Sequence, residues 1–75
     1  MRRVGIVVRT AGGLAIARAE AGAAPPRIGS SVVDESLASV GRVVDVFGPV
    51  DRPYVAVTPS DDDLAALVGG KLYAR

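Results

Sequence analysis

The chain is most constrained between Val40 and Tyr54, Val-Gly-Arg-Val-Val-Asp-Val-Phe-Gly-Pro-Val-Asp-Arg-Pro-Tyr. Four Val and one Phe fall within the eight residues from Val40 to Phe47, a composition that suits a half-buried pleated strand. Gly48-Pro49 must end that strand, because Gly permits a sharp bend and Pro fixes φ and offers no N–H to a ladder. A second strand, Tyr54 to Thr58, follows Val50-Asp51-Arg52-Pro53. The connection between them is stiff, with two prolines, and it carries apolar Val50 where a solvated loop prefers polar residues. Such a loop suits a surface that meets another molecule. From spacing alone the better reading is that Val50 folds back onto its own core, since scattered surface apolar residues are normal.

The remaining segments read as short strands with Gly and Pro punctuation. From Arg3 to Thr10 the pattern alternates, with Val4, Ile6 and Val8 on one face and Arg3, Gly5, Val7 and Arg9 on the other, which predicts a strand with one face inward. Ala11-Gly12-Gly13 supplies the positive φ of a short hairpin connection, and Leu14 to Ala19 is the return strand. Pro25-Pro26 makes Glu20 to Arg27 an extended loop. Ser31 to Val33 is a short strand, followed by a turn at Asp34, whose carboxylate can accept from the backbone two residues on. Ser60 to Leu67 predicts one or two helical turns, capped by Ser60 or Asp61, with Asp62 and Asp63 at the positive end of the dipole. Gly69-Gly70 stops it, and Lys71 to Arg75 is the last strand. About six strands and one brief helix in 75 residues predict a single all-β domain, residues 1–75, folded as a small six-stranded antiparallel barrel. Closure suits this size because it removes exposed edges.

Composition excludes several kinds of chemistry. With no Cys and no His, disulfides, zinc sites built on those residues, Cys nucleophiles, His bases and Ser-His triads are out of reach. The lack of Cys fits a reducing compartment, and the expected location is cytoplasmic. A net charge of +1 gives no overall electrostatic case for nucleic acid or a membrane surface. Three aromatics, Phe47, Tyr54 and Tyr73, are too few for a base-stacking platform. The apolar run after Met1-Arg2-Arg3 is too short for a signal peptide and is interrupted by Arg9; none is long enough to span a bilayer. Asp61-Asp62-Asp63 could attract a hard cation, but consecutive side chains at a helix start diverge, and helix capping is the better reading. Asp34, Glu35 and Asp45 are not matched by a nucleophile, and Asp45 reads as a solvated strand residue on the face of Val43 and Phe47. Gly12-Gly13 joins two strands and is not followed by the Lys-Ser/Thr of a phosphate loop. No catalytic residue, cofactor site or metal site is expected, and a binding module is.

Five segments then carry a family resemblance. They are Pro26-Arg27-Ile28-Gly29-Ser30, Val32-Val33-Asp34-Glu35, Gly41-Arg42-Val43-Val44-Asp45-Val46-Phe47-Gly48-Pro49-Val50, Pro53-Tyr54-Val55-Ala56-Val57 and Gly70-Lys71-Leu72-Tyr73. In this order they resemble the core of the Gar subunit of H/ACA small ribonucleoproteins, in its archaeal form without glycine-arginine-rich tails. Asp-Val-Phe-Gly-Pro-Val followed by Pro-Tyr is the most specific part.

The resemblance implies a barrel related to those of translation factors and a non-catalytic subunit. It implies direct docking on the catalytic domain of the H/ACA pseudouridine synthase, with the other H/ACA proteins and the guide RNA reached through the complex and little direct RNA contact. The implied role is to assist substrate loading and product release in ribosomal RNA pseudouridylation. The expected docking face is Phe47, Gly48, Pro49, Val50, Pro53 and Tyr54, with Pro26, Ile28 and Val33 nearby, because preorganised loops lose less entropy on binding and aromatic anchors carry interface energy. Phe47 fits core and interface equally. The alternative is a stand-alone PRC-barrel-like or ribosome-maturation barrel that binds RNA or a ribosomal protein directly.

Overall fold

Six antiparallel strands close into a barrel in the computed structural model of the chain, which describes residues 2–22, 24–60 and 64–75. They are β1 (Arg2–Ala11), β2 (Leu14–Arg18), β3 (Ser31–Val33), β4 (Ser39–Phe47), β5 (Tyr54–Pro59) and β6 (Lys71–Ala74), in spatial order β1-β2-β5-β4-β3-β6. The expected strands are all present, each within a residue at either end. Of the expected helix, the described residues show a 3-10 turn, Leu64–Leu67. The N–H and the hydroxyl of Ser60, one of the expected caps, both donate to the Val40 carbonyl, which ties the end of β5 to β4. The expected cap at Asp61, Asp62 and Asp63 lies outside the described residues.

A six-stranded barrel has a narrow interior, since barrel diameter grows with strand number and six is few. The core is accordingly built of small and β-branched side chains: Val4, Val7, Ala15, Ala17, Val32, Val40, Val43, Val55, Val57, Leu72 and Ala74. Phe47 is not among them; it is 39% exposed. The Ala content of β2, weak by strand propensity, is what lets β2 pass this tight interior.

The alternation expected for β1 fails, and two register shifts explain it. One falls between Arg3 and Gly5, the other between Val7 and Arg9. A bulge adds a residue and reverses the inward and outward sense beyond it. Val4 and Val7 therefore face the core, while Ile6 and Val8 are exposed. A third shift, between Val43 and Asp45 in β4, likewise separates buried Val43 from exposed Asp45, so the two do not share a face.

Two glycines mark places where backbones approach too closely for a side chain. A Cβ on Gly41 would lie 1.8 Å from the Thr58 carbonyl oxygen, and one on Gly5, at φ +151°, 2.3 Å from that of Arg18.

Candidate functional site

Phe47 ends β4, Tyr54 begins β5, and the two are register partners. Their rings stack with centroids 5.6 Å apart and an interplanar angle of 20°. Tyr54 is also the register partner of Arg18 in β2, and the Arg18 guanidinium lies 5.4 Å from the Tyr54 ring centroid. Arg18 in turn pairs with Ile6 of β1. Ile6, Arg18, Tyr54 and Phe47 thus form one row across four adjacent strands, about 14 Å long at about 4.8 Å per strand. Arg18 Nε is buried and makes no hydrogen bond with the described residues. The ring face beneath the guanidinium offsets part of that cost, by about 0.5–1 kcal/mol.

The bend after Phe47 is shaped to keep this row intact. Gly48 has φ +91°, and a Cβ there would lie 2.9 Å from Cδ2 of Tyr54; only Gly allows both the turn and the ring against it. The loop beyond is held at several points. Arg52 N–H donates to the Pro49 carbonyl at 3.2 Å, Ala19 N–H to Pro53 at 3.0 Å and Gly22 N–H to Asp51 at 2.7 Å. Arg52 Nε donates to the Ala19 carbonyl at 3.2 Å. Val50 projects from the middle of this braced loop and is 97% exposed, so it does not fold back onto the core.

Of the nine residues expected at a docking face, six are contiguous here: Phe47, Gly48, Pro49, Val50, Pro53 and Tyr54. Pro53 is buried beneath the loop and Tyr54 is half-buried. The other three are not gathered beside them. Val33 is 1% exposed and pairs with Ser39, at the opposite end of β4 from Phe47. Pro26 is buried and lines a cleft with Arg2 and Arg75. Ile28 is exposed and precedes Gly29, whose N–H donates to the Val43 carbonyl in mid-β4. Sequence reasoning missed Arg18, Arg52 and Ile6. No local pattern carries Arg18, because its link to Tyr54 exists only through the β2–β5 pairing.

Among the described residues the carboxylates are paired, hydrogen-bonded or exposed. Asp34 closes the β3–β4 turn, accepting from Ser36 N–H at 2.9 Å, the Ser36 hydroxyl at 2.6 Å and Ala38 N–H at 3.0 Å. The Ser36 hydroxyl, and after it these backbone N–H groups, hold the Asp34 carboxyl below the usual range. Glu20 pairs with Arg3 and Glu35 lies 3.8 Å from Lys71. Asp45 is exposed and accepts from Val46 N–H. Among the described residues no three of His, Cys, Asp and Glu are grouped to hold a metal ion, and no helix is long and apolar enough to cross a membrane.

Comparison with known proteins places this arrangement among relatives. Residues 1–75 match the family profile described as the Gar1/Naf1 RNA binding region. The chain is also 37% identical over 73 residues to an uncharacterized protein of Methanocaldococcus jannaschii, a match covering 97% of this chain and 83% of that protein.

Proposed function

The chain belongs to the Gar1/Naf1 family over its whole length, and on that premise we propose that it is a non-catalytic protein subunit of an archaeal H/ACA-type ribonucleoprotein. In this reading it docks on the catalytic domain of the pseudouridine synthase and assists RNA-guided pseudouridylation of ribosomal RNA, in substrate loading and product release. The observation that carries the reading is Val50, an almost fully exposed apolar side chain on a loop braced at both ends and set beside the stacked Phe47–Tyr54 pair. A loop already ordered in the free chain loses little entropy on binding. An aromatic pair backed by Arg18 provides the residue types that most often dominate interface energetics.

The proposed contact surface is Phe47, Gly48, Pro49, Val50 and Tyr54, with Pro53 supporting it from below. Val50→Asp tests it with least disturbance to the fold. Calorimetry with an archaeal H/ACA pseudouridine synthase, without guide RNA, is expected to give sub-micromolar association for the native chain and none for Val50→Asp. The combination Tyr54→Ala with Val50→Asp, if folded and bound as tightly as the native chain, removes this face from the interface.

A further inference from the structure

The net charge of +1 conceals an uneven distribution. Arg3 is paired with Glu20 and Lys71 is close to Glu35. Arg2, Arg27 and Arg75 make no such pair among the described residues, and they converge. All three are exposed, and with Ser30 they line one cleft of about 320 Å³, whose apolar walls are Pro26 and Ala74. Neither a carboxylate side chain nor an aromatic ring of the described residues lines it.

The barrel brings these residues together from three parts of the chain. Arg2 pairs with Ala74, and Ala74 with Val32, so β1, β6 and β3 lie side by side over about 10 Å. Arg75 N–H donates to the Ser31 carbonyl at 2.9 Å, which fixes the end of β6 beside Ser30. Ser30 N–H donates to the Arg27 carbonyl at 3.1 Å, a tight turn that sets Arg27 and Ser30 on the same wall. Arg2 Nη2 donates to the Ala24 carbonyl at 2.9 Å, so the segment that carries Pro26 is held against the end of the sheet. Val32 also pairs with Gly41 of β4, which precedes Phe47 by about 20 Å along the strand. The cleft is therefore separate from the aromatic row.

We propose that Arg2, Arg27 and Arg75, with the Ser30 hydroxyl, form a docking site for an acidic peptide segment of a partner protein, entered by its Asp or Glu side chains. A guanidinium presents a planar fork that matches a carboxylate in two parallel hydrogen bonds, and it holds its charge at any working pH. The Ser30 hydroxyl adds a neutral donor. Charge complementarity selects an anion, and three further features select a peptide. The positive charge is confined to one bounded cleft, and a net charge of +1 gives no long-range field to gather a polyanion. No ring lines the cleft on which a base could stack. Pro26 and Ala74 offer apolar surface to the methylene groups that carry a side-chain carboxylate, which a bare inorganic anion would leave unused. The site is independent of the docking loop around Val50 and stands whether or not that loop meets the synthase.

The test is fluorescence anisotropy of a capped, fluorescein-labelled hexapeptide of alternating Glu and Ala, titrated with the full chain at about 50 mM salt, where screening is modest. Saturable binding is expected, and the same peptide with Gln in place of Glu is expected not to bind. Arg27→Ala combined with Arg75→Ala removes two exposed side chains, keeps both backbone hydrogen-bonding groups and should leave the melting temperature unchanged. It is expected to weaken binding about tenfold or more, the scale of one lost hydrogen bond to a charged group. NMR of the native chain locates the contact without a variant: the amides of Ser30, Ala74 and Arg75 are expected to shift during the titration and those of Val50 and Tyr54 to stay. Val50→Asp is expected to bind the peptide like the native chain. The proposal is overturned if the acidic peptide does not bind, if the Gln peptide binds equally well, if the arginine variant keeps the native affinity, or if the shifts fall at Val50 and Tyr54. It is also overturned if a single-stranded RNA of equal charge displaces the peptide at a lower concentration than unlabelled peptide does, which would make the cleft a nucleic-acid contact. Displacement by inorganic phosphate at such a concentration would overturn it too, leaving an ion site only.

Discussion

Gly5 and Gly41 occupy positions where a methyl group would meet a backbone carbonyl oxygen, Arg18 and Thr58 respectively. Backbone cannot swing aside as a side-chain tip can, so the sheet must part locally. Gly41→Ala is expected to cost about 3 kcal/mol or more by chemical denaturation. That is a large share of the total for a chain of this length, about 4–11 kcal/mol. Val50→Asp is expected to lie within about 0.5 kcal/mol of the native chain in the same measurement, because Val50 buries almost nothing. Asp34 gives a pH-dependent prediction. Its carboxyl is held low by the Ser36 hydroxyl and the turn N–H groups, so its folded value lies below the unfolded value of about 3.9. Its contribution to stability is therefore present above that pH and is lost as pH falls through the lower folded value. In an NMR pH titration, Ser36→Ala is expected to move the Asp34 midpoint upward; an unchanged midpoint would remove the hydroxyl as the main cause.

At the scale of elements, the loop from Gly48 to Pro53 behaves as part of the barrel although it lies outside the strands. Backbone bonds from Ala19 to Pro53 and from Gly22 to Asp51 anchor it to the segment after β2, and the Arg52 side chain adds a third link through Ala19. Arg52→Ala removes one hydrogen bond and is expected to cost about 0.5–1.5 kcal/mol. Its larger effect should be on order: the amides of Ala19 and Gly22, both hydrogen-bonded in the native chain, should exchange faster in the variant. Exchange unchanged at both amides would mean that the backbone bonds alone fix the loop. β1 shows a different dependence on its surroundings. Its two bulges place Ile6 and Val8 on the outer surface, and Ile6 extends the row formed by Arg18, Tyr54 and Phe47. The outer surface beside the proposed docking loop is thereby more apolar than regular alternation would make it.

At the scale of the whole molecule, barrel closure separates two kinds of surface, an aromatic and apolar face at one end of β4 and an arginine cleft at the other. Much of this was legible without tertiary structure. Val-rich segments punctuated by Gly and Pro gave the six strands, because strand propensity and chain breakers are local properties. The five motif segments gave the family, and Gly48-Pro49 gave the bend. Three things needed the fold. A period of two predicts a face only while register holds, so the bulges at Val4 and Val8 defeated the reading of β1. Val33 and Pro26 belong to the same set of motif segments as the expected docking residues, yet Val33 pairs with Ser39 at the far end of β4 and Pro26 lies beside Arg2 and Arg75. The stacking of Arg18 on Tyr54 and the convergence of Arg2, Arg27 and Arg75 join positions far apart in the chain. Local sequence specifies strands through short-range backbone and side-chain preferences; which distant residues become neighbours is set by the register in which six strands close around a narrow core.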